Sequence, residues 1–171
     1  MNESIRFLKN LDQVQKRPIP QKVKDRIKQS LIDYLAVCAA GAVYQKQKID
    51  RYINFAMPEK GEFTAIGTLK KIALKEAVFL NGLNSHALDF DDGTNSGIIH
   101  LGSPIFSLLL PLAERYDLKV EDMLKAAVIG YEAYYGCFYS AGPQSYGISC
   151  YRNVWGSRCY YSRKLYARFF R

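Results

Sequence analysis

Apolar side chains recur at spacings of three and four along much of this chain, which is the period of an amphipathic α-helix. The first long segment with this pattern covers residues 19–42, and Pro20 stands near its start, where proline is well tolerated. Its predicted inward stripe consists of Val23, Ile27, Leu31, Leu35 and Cys38.

The same period predicts four more helices, at residues 46–58, 73–90, 104–116 and 120–139. A serine followed by proline, Ser103 and Pro104, suggests a capped start for the third of these. Residues 61–68 are short and bounded by glycine, and predict only an extended connector. In the helix at 46–58 the residues expected to face inward are Ile49, Tyr52, Ile53 and Ala56. In the helix at 120–139 they are Leu124, Ala127, Val128, Tyr131, Tyr135 and Phe138. Short links and the lack of a strong strand favour an all-α domain.

Composition supports one globular domain. The chain has 171 residues, of which 49% are hydrophobic and 23% charged, which excludes a disordered protein. No apolar run is long enough to span a membrane, and the first residues lack the apolar core of a secretory signal. We therefore expect a cytoplasmic protein. Four scattered cysteines without a CxxC pair give no metal or disulfide signature, and Cys38 is expected to be a buried thiol.

The net charge of +8 is concentrated at one end of the chain. Residues 148–171 hold five arginines and one lysine with no acidic residue, whereas residues 1–147 carry 18 basic and 16 acidic side chains. A nucleic-acid or membrane-surface hypothesis would depend on this tail alone. We expect neither a nucleic-acid nor a membrane partner.

The segment HALDFDDGTNSGIIH, residues 86–100, holds both histidines and three aspartates. On a continuous helix, His86 and Asp89 would share a face, and so would Asp89 and Asp92. A carboxylate fixes the tautomer of a neighbouring imidazole, which suits proton transfer. His100 lies just before a predicted helix start, where free amides attract anions. The segment could thus hold an acid–base pair facing a bound carboxylate or phosphate.

Two other interpretations of the segment stay open. The aspartates could form a solvated turn, with His86 as a buried histidine that has no chemical role. His86, Asp89 and His100 could instead bind a metal ion, although their spacing matches no standard motif. A serine or cysteine nucleophile has little support, because no nucleophile elbow is present.

These residues, continued as HALDFDDGTNSGIIHLGSP and on through the following helices, resemble the core of the MmgE/PrpD family. The resemblance runs from about Ile19 to Gly147. The family includes 2-methylcitrate dehydratase, cis-aconitate decarboxylase and iminodisuccinate epimerase. It implies a helical N-terminal domain, followed in complete members by a C-terminal α+β lid, and homodimers as the usual assembly.

The resemblance also implies a chemistry. Members abstract a proton from small di- or tricarboxylates and then eliminate, decarboxylate or isomerise, without a metal or other cofactor. Carried over, Asp89 and His100 belong to the catalytic set, and His86 and Asp92 shape the substrate pocket. The family often has Thr or Ser directly after the second paired aspartate. Here Gly93 occupies that position, and Thr94, which follows, is the third substrate-binding candidate.

The resemblance stops at Gly147, where family members continue with a stretch like GFHATGTCGAAAA that supplies another active-site histidine. One permitted coding of residues 147–159 translates as GFHATGTCGAAA when a single base after codon 147 is deleted. We therefore expect that residues 148–171 are a frameshifted, non-homologous tail. The chain would then be a truncated N-terminal fragment without the lid, inactive alone. The alternative is a non-catalytic helical remnant that binds a partner such as a full-length paralogue.

Overall fold

The computed structural model of the chain describes residues 3–57, 59–68, 70–94 and 99–140. They form six helices and four short strands, and helices dominate, so the predicted all-α class is confirmed. The elements, in chain order, are α1 (Glu3–Lys16), α2 (Gln21–Tyr44), α3 (Lys46–Ala56), β1 (Lys60–Thr64), β2 (Lys71–Ile72), α4 (Leu74–His86), β3 (Gly93–Thr94), β4 (Ile99–His100), α5 (Gly102–Arg115) and α6 (Val120–Ser140).

The chain divides into two compact units, residues 1–131 and 132–171. Of the second unit, only the last turns of α6 are described. The boundary expected at residue 147, and the tail that follows it, lie outside the described residues. No helix in the described part of the chain is both long and apolar enough to cross a membrane.

Helix α2 packs against α4 and α5 through a face that differs from the predicted stripe. Ile27 and Cys38 are buried as expected, but Val23 and Leu35 are exposed. The buried face includes Tyr34 instead, and the Tyr34 hydroxyl lies 3.0 Å from that of Ser107 on α5. The prediction failed because it followed only aliphatic residues, whereas a buried tyrosine with a hydrogen-bond partner is an equally good core residue.

A hydrophobic cluster lies where the end of α2, the helices α3 and α4, and the antiparallel pair β1–β2 meet. Its buried members are Ala42, Ile49, Ile53, Ala65, Ile72, Ala77 and Leu80. Tyr52 packs against the cluster while half-buried, but Ala56 is exposed, contrary to prediction, because α3 ends there and only its first turns face the core. Residues 61–68 were predicted to be no more than an extended connector, but residues 61–64 belong to β1, which pairs antiparallel with β2.

Two buried amides in α4 hold the loop after β1. Asn81 Oδ1 accepts a hydrogen bond from the Ile66 amide at 2.7 Å, and Asn81 Nδ2 donates to the Thr64 carbonyl at 3.2 Å. Asn84 Nδ2 donates to the Ile66 carbonyl at 2.8 Å. Both side chains are fully buried, so these bonds satisfy polar groups that would otherwise be costly inside the protein. They fix the second half of α4, the helix that ends at His86, to the loop after β1.

The helix ends around the candidate site differ from prediction. Helix α4 stops at His86 rather than near residue 90, and Asp89 adopts a left-handed backbone with φ of 56°. Helix α5 begins at Gly102, so Ser103 lies inside its first turn, where its hydroxyl is 2.6 Å from that of Ser85. The idea that Asp89 shares a helix face with His86 is therefore wrong.

In α6, Leu124, Ala127 and Val128 are buried as predicted. Tyr131 is half-buried. Tyr135 is more exposed than predicted, with over a third of its surface accessible, and the side chain of Phe138 lies outside the described residues.

Candidate functional site

A short hairpin places the second histidine opposite the paired aspartates. Strands β3 and β4 pair antiparallel, with Gly93 opposite His100 and Thr94 opposite Ile99. His86 approaches from the last turn of α4. The two imidazole rings meet edge-on, with centroids 5.0 Å apart. The end of α4 and the hairpin thus bring together histidines that are far apart in sequence.

Asp91 is the centre of this arrangement. Its side chain is 1% exposed, and its Oδ1 lies 2.9 Å from His86 Nδ1 and 3.2 Å from His100 Nδ1. His100 Nδ1 also lies 3.0 Å from the Asp91 carbonyl oxygen. A carboxylate or carbonyl oxygen accepts from an imidazole N–H, so this geometry favours the tautomer that carries its proton on Nδ1; in a neutral ring of that tautomer the lone pair is on Nε2.

Asp89 faces the free nitrogen of the second imidazole. Its left-handed backbone turns the chain after α4, and its side chain is 79% exposed. Asp89 Oδ1 lies 3.6 Å from His100 Nε2, and the His100 side chain is 35% exposed. The predicted catalytic residues, Asp89 and His100, are therefore adjacent and accessible from solvent. Such a pair can take a proton from a bound molecule and return it.

The Asp92 side chain is bonded to α5 and α6 and not to the two histidines. Its Oδ1 accepts the Gly102 amide at 2.6 Å, and its Oδ2 accepts the Tyr131 hydroxyl at 2.5 Å. Burial, reinforced by the bond to Asp92, holds the pKa of Tyr131 well above its ordinary value, so the phenol remains a donor. A carboxylate at the first amide of α5 suits the positive end of the helix. Asp92 thus anchors the site loop to α5 and α6.

Gly102 is required for this anchor. A Cβ at this position would lie 2.6 Å from Asp92 Oδ1 and 2.9 Å from the Tyr131 hydroxyl oxygen. Both distances are shorter than real Cβ contacts, so a larger residue here would push the Asp92 carboxylate and the Tyr131 hydroxyl out of their present positions.

Comparison with known proteins adds the family. Residues 6–156 match the family model described as the MmgE/PrpD N-terminal domain, which is most of the chain. The chain belongs to the MmgE/PrpD family. No curated protein and no solved structure matches it significantly. The family match extends nine residues past Gly147, and the domain boundary placed there stays a prediction.

Two residues of this MmgE/PrpD domain were missed by the sequence reasoning. Asp91 was considered only as part of a turn, and Tyr131 only as a core residue. The position of Asp91 between two histidines was the available signal, but its burial depends on the hairpin. Of the predicted substrate-binding residues, His86 lies in the cluster and Asp92 lies in the anchor behind it. For Thr94 the structure describes the backbone pairing alone.

The same MmgE/PrpD domain also brings together the residues of the metal hypothesis. His86, Asp89 and His100, with Asp91, each offer one ligand-type atom, and these four atoms lie within 4.8 Å of one another. His86 and Asp89 are largely exposed at the opening of the cluster, and Asp91 forms its buried floor.

Proposed function

We propose that this domain carries the proton-transfer part of a cofactor-independent lyase or isomerase that acts on small di- or tricarboxylates. The observation that supports it best is the position of the exposed Asp89 carboxylate, whose Oδ1 lies 3.6 Å from His100 Nε2, in a chain that belongs to the MmgE/PrpD family. Within that family, a carbon–oxygen lyase of the 2-methylcitrate dehydratase kind is the reaction we favour. We further propose a cytoplasmic location.

The chemistry follows from what a carboxylate substrate needs. A C–H bond next to a carboxylate is weakly acidic, so a base must be held close to it. In an elimination, the His100–Asp89 pair accepts that proton, the C–H electrons form the double bond, and the hydroxyl leaves as water after a donor protonates it. His86 lies beside His100, and its side chain is 55% exposed. A ring that carries a proton on Nε2 as well as Nδ1 could donate a hydrogen bond from Nε2 to a substrate carboxylate or to the leaving hydroxyl.

The proposal includes a genetic explanation for the tail. We propose that one inserted base after codon 147 moved the reading frame, so that residues 148–171 replace the family's next active-site segment. Sequencing the DNA across codons 146–152 tests this directly. The proposal expects a single-base change that restores a frame reading GFHATG. If no such change opens that frame, the tail is an in-frame part of the protein and the proposal fails.

Turnover by the chain as it exists tests its predicted inactivity. Purified protein is incubated with 2-methylcitrate, cis-aconitate and related acids, and products are followed by NMR. We expect no turnover, or a trace, because under the frameshift proposal residues 148–171 replace the segment that would complete the site. Robust activity that is lost in Asp89→Asn would contradict the inactivity while supporting the site. Asp50→Asn serves as the control, since Asp50 is an exposed carboxylate paired with Lys46 on α3.

A second candidate function is a non-catalytic module that binds a full-length paralogue or a second copy through a helical face. The observation in its favour is the set of apolar side chains exposed on α2, among them Ile32, Val43 and Tyr44. Co-expression with a tagged full-length paralogue provides the test. Recovery of a stoichiometric complex that Ile32→Glu disrupts would favour this candidate, and recovery of the tagged paralogue alone would remove it.

A further inference from the structure

The cluster of His86, Asp89, Asp91 and His100 has the geometry of a cation site as well as that of an acid–base site. Its four ligand-type atoms lie within 4.8 Å of one another. A tetrahedral zinc ion with bonds of about 2.0–2.2 Å holds its ligand atoms roughly 3.3 Å apart. The cluster is therefore about the right size, and small rotations of the exposed side chains would close it around an ion.

The buried carboxylate supplies a second, independent observation. Asp91 is 1% exposed, and its Oδ1 lies between the Nδ1 atoms of both imidazoles. Its Oδ2 is also buried, and has no hydrogen-bond partner among the described residues. An unpaired oxygen on a buried carboxylate is expensive, because it has lost water and gained no donor. A bound cation would supply the missing partner.

The donor set indicates the kind of cation. Two imidazoles and two carboxylates suit a divalent ion of borderline softness, such as Zn²⁺ or Co²⁺. Mg²⁺ and Ca²⁺ prefer sites made wholly of oxygen ligands, so two of these four ligands are poor ones for them. The exposure of His86 and Asp89 gives an ion a route in from solvent.

We propose that His86, Asp89, Asp91 and His100 form a site for one divalent transition-metal ion. Because Asp91 Oδ1 lies against Nδ1 of both rings, the ion would bind these two nitrogens in place of their protons. This ion is not part of the proposed reaction, because it would also engage the Asp89 carboxylate that takes part in proton transfer. The binding claim does not rest on the proposed function, and its test uses no substrate.

Cobalt binding to the metal-free full chain is the test. Protein stripped with a chelator is titrated with Co²⁺, followed by visible absorption, and the bound Co²⁺ is then displaced with Zn²⁺. The proposal expects one ion per chain and a spectrum of nitrogen and oxygen ligands. A thiolate-to-cobalt charge-transfer band would place the ion on cysteines and overturn the proposal, as would the absence of stoichiometric binding.

Substitutions of the two exposed ligands test the site without disturbing the buried core. His86→Ala and Asp89→Asn alter exposed side chains, and asparagine tolerates the left-handed backbone of residue 89. Each should weaken Co²⁺ binding by at least about 10-fold, since removing even an indirect partner of a metal ligand costs that much. Asp50→Asn should leave the affinity unchanged. Equal affinity in wild type, His86→Ala and Asp89→Asn would show that the ion binds elsewhere.

Discussion

The anchor formed by Asp92, Gly102 and Tyr131 makes Gly102→Ala the most informative single substitution. The new methyl carbon would lie 2.6 Å from Asp92 Oδ1 and 2.9 Å from the Tyr131 hydroxyl oxygen. To make room, Asp92 must move away from the first amide of α5, to which it is bonded at 2.6 Å. The substitution therefore adds steric strain and also removes a charge-assisted hydrogen bond.

The expected cost can be worked from these two effects. Overpacking costs about 1–3 kcal/mol, and loss of a hydrogen bond to a charged group about 1.5–3 kcal/mol. The higher helix propensity of alanine than of glycine offsets up to about 1 kcal/mol of this cost. We expect Gly102→Ala to lower the free energy of unfolding by about 1.5–6 kcal/mol, measured by urea denaturation with circular dichroism.

Gly82→Ala is the matched control. It is also a glycine in a helix, but a Cβ there would meet only the Ser107 hydroxyl, at an ordinary 3.7 Å. The same propensity term then acts without a clash, so this variant should be neutral or more stable by up to about 1 kcal/mol. If Gly102→Ala were as stable as wild type, or Gly82→Ala were the worse of the two, the account of the anchor would be refuted.

Three further predictions concern the groups inside the fold. Asp91→Asn should leave His86 in a mixture of tautomers, because the carboxylate that holds its Nδ1 proton is gone, while the other histidine keeps the backbone carbonyl as acceptor; long-range ¹H–¹⁵N NMR reports both, and an unchanged His86 would refute it. Tyr34→Phe and Ser107→Ala should each cost about 1–3 kcal/mol by stranding a buried hydroxyl, whereas the double variant should cost less than their sum; strict additivity would show that the hydroxyls are independent. Burial, with the bond to its aspartate, raises the pKa of Tyr131, so the folded protein keeps this proton above pH of about 10, where an unfolded tyrosine loses it. Its share of stability is therefore constant below that pH and falls by about 1.4 kcal/mol per pH unit above it, and Tyr131→Phe should flatten the alkaline decline.

The helical class could be predicted from the sequence because the apolar period persists over long segments. The faces and ends of the helices were harder. The face of α2 depends on Tyr34 meeting Ser107 from a distant helix, which no local pattern contains. Helix α5 starts at an amide bonded to Asp92, ten residues earlier in the chain, so a local Ser–Pro signal misplaced its start.

The candidate site was predicted in part, and for a partly wrong reason. Asp89 and His100 lie together as the family resemblance implies, but through a left-handed turn and a hairpin rather than along one helix face. The central position of Asp91 was not predicted, because it depends on burial. In sequence it is one of three similar aspartates, and only the folded hairpin leaves it 1% exposed between the two histidines.

The central claim is that Asp89 and His100 transfer the substrate proton, and turnover in the frame-restored protein tests it most directly. Under the frameshift proposal, deleting one base after codon 147 restores the family's next active-site segment, and the product is assayed with 2-methylcitrate, cis-aconitate and related acids. We expect turnover of one of these acids, reduced at least about 100-fold by Asp89→Asn or His100→Gln, as expected for loss of an acid–base group, and unchanged by Asp50→Asn. Full activity in both site variants would contradict it.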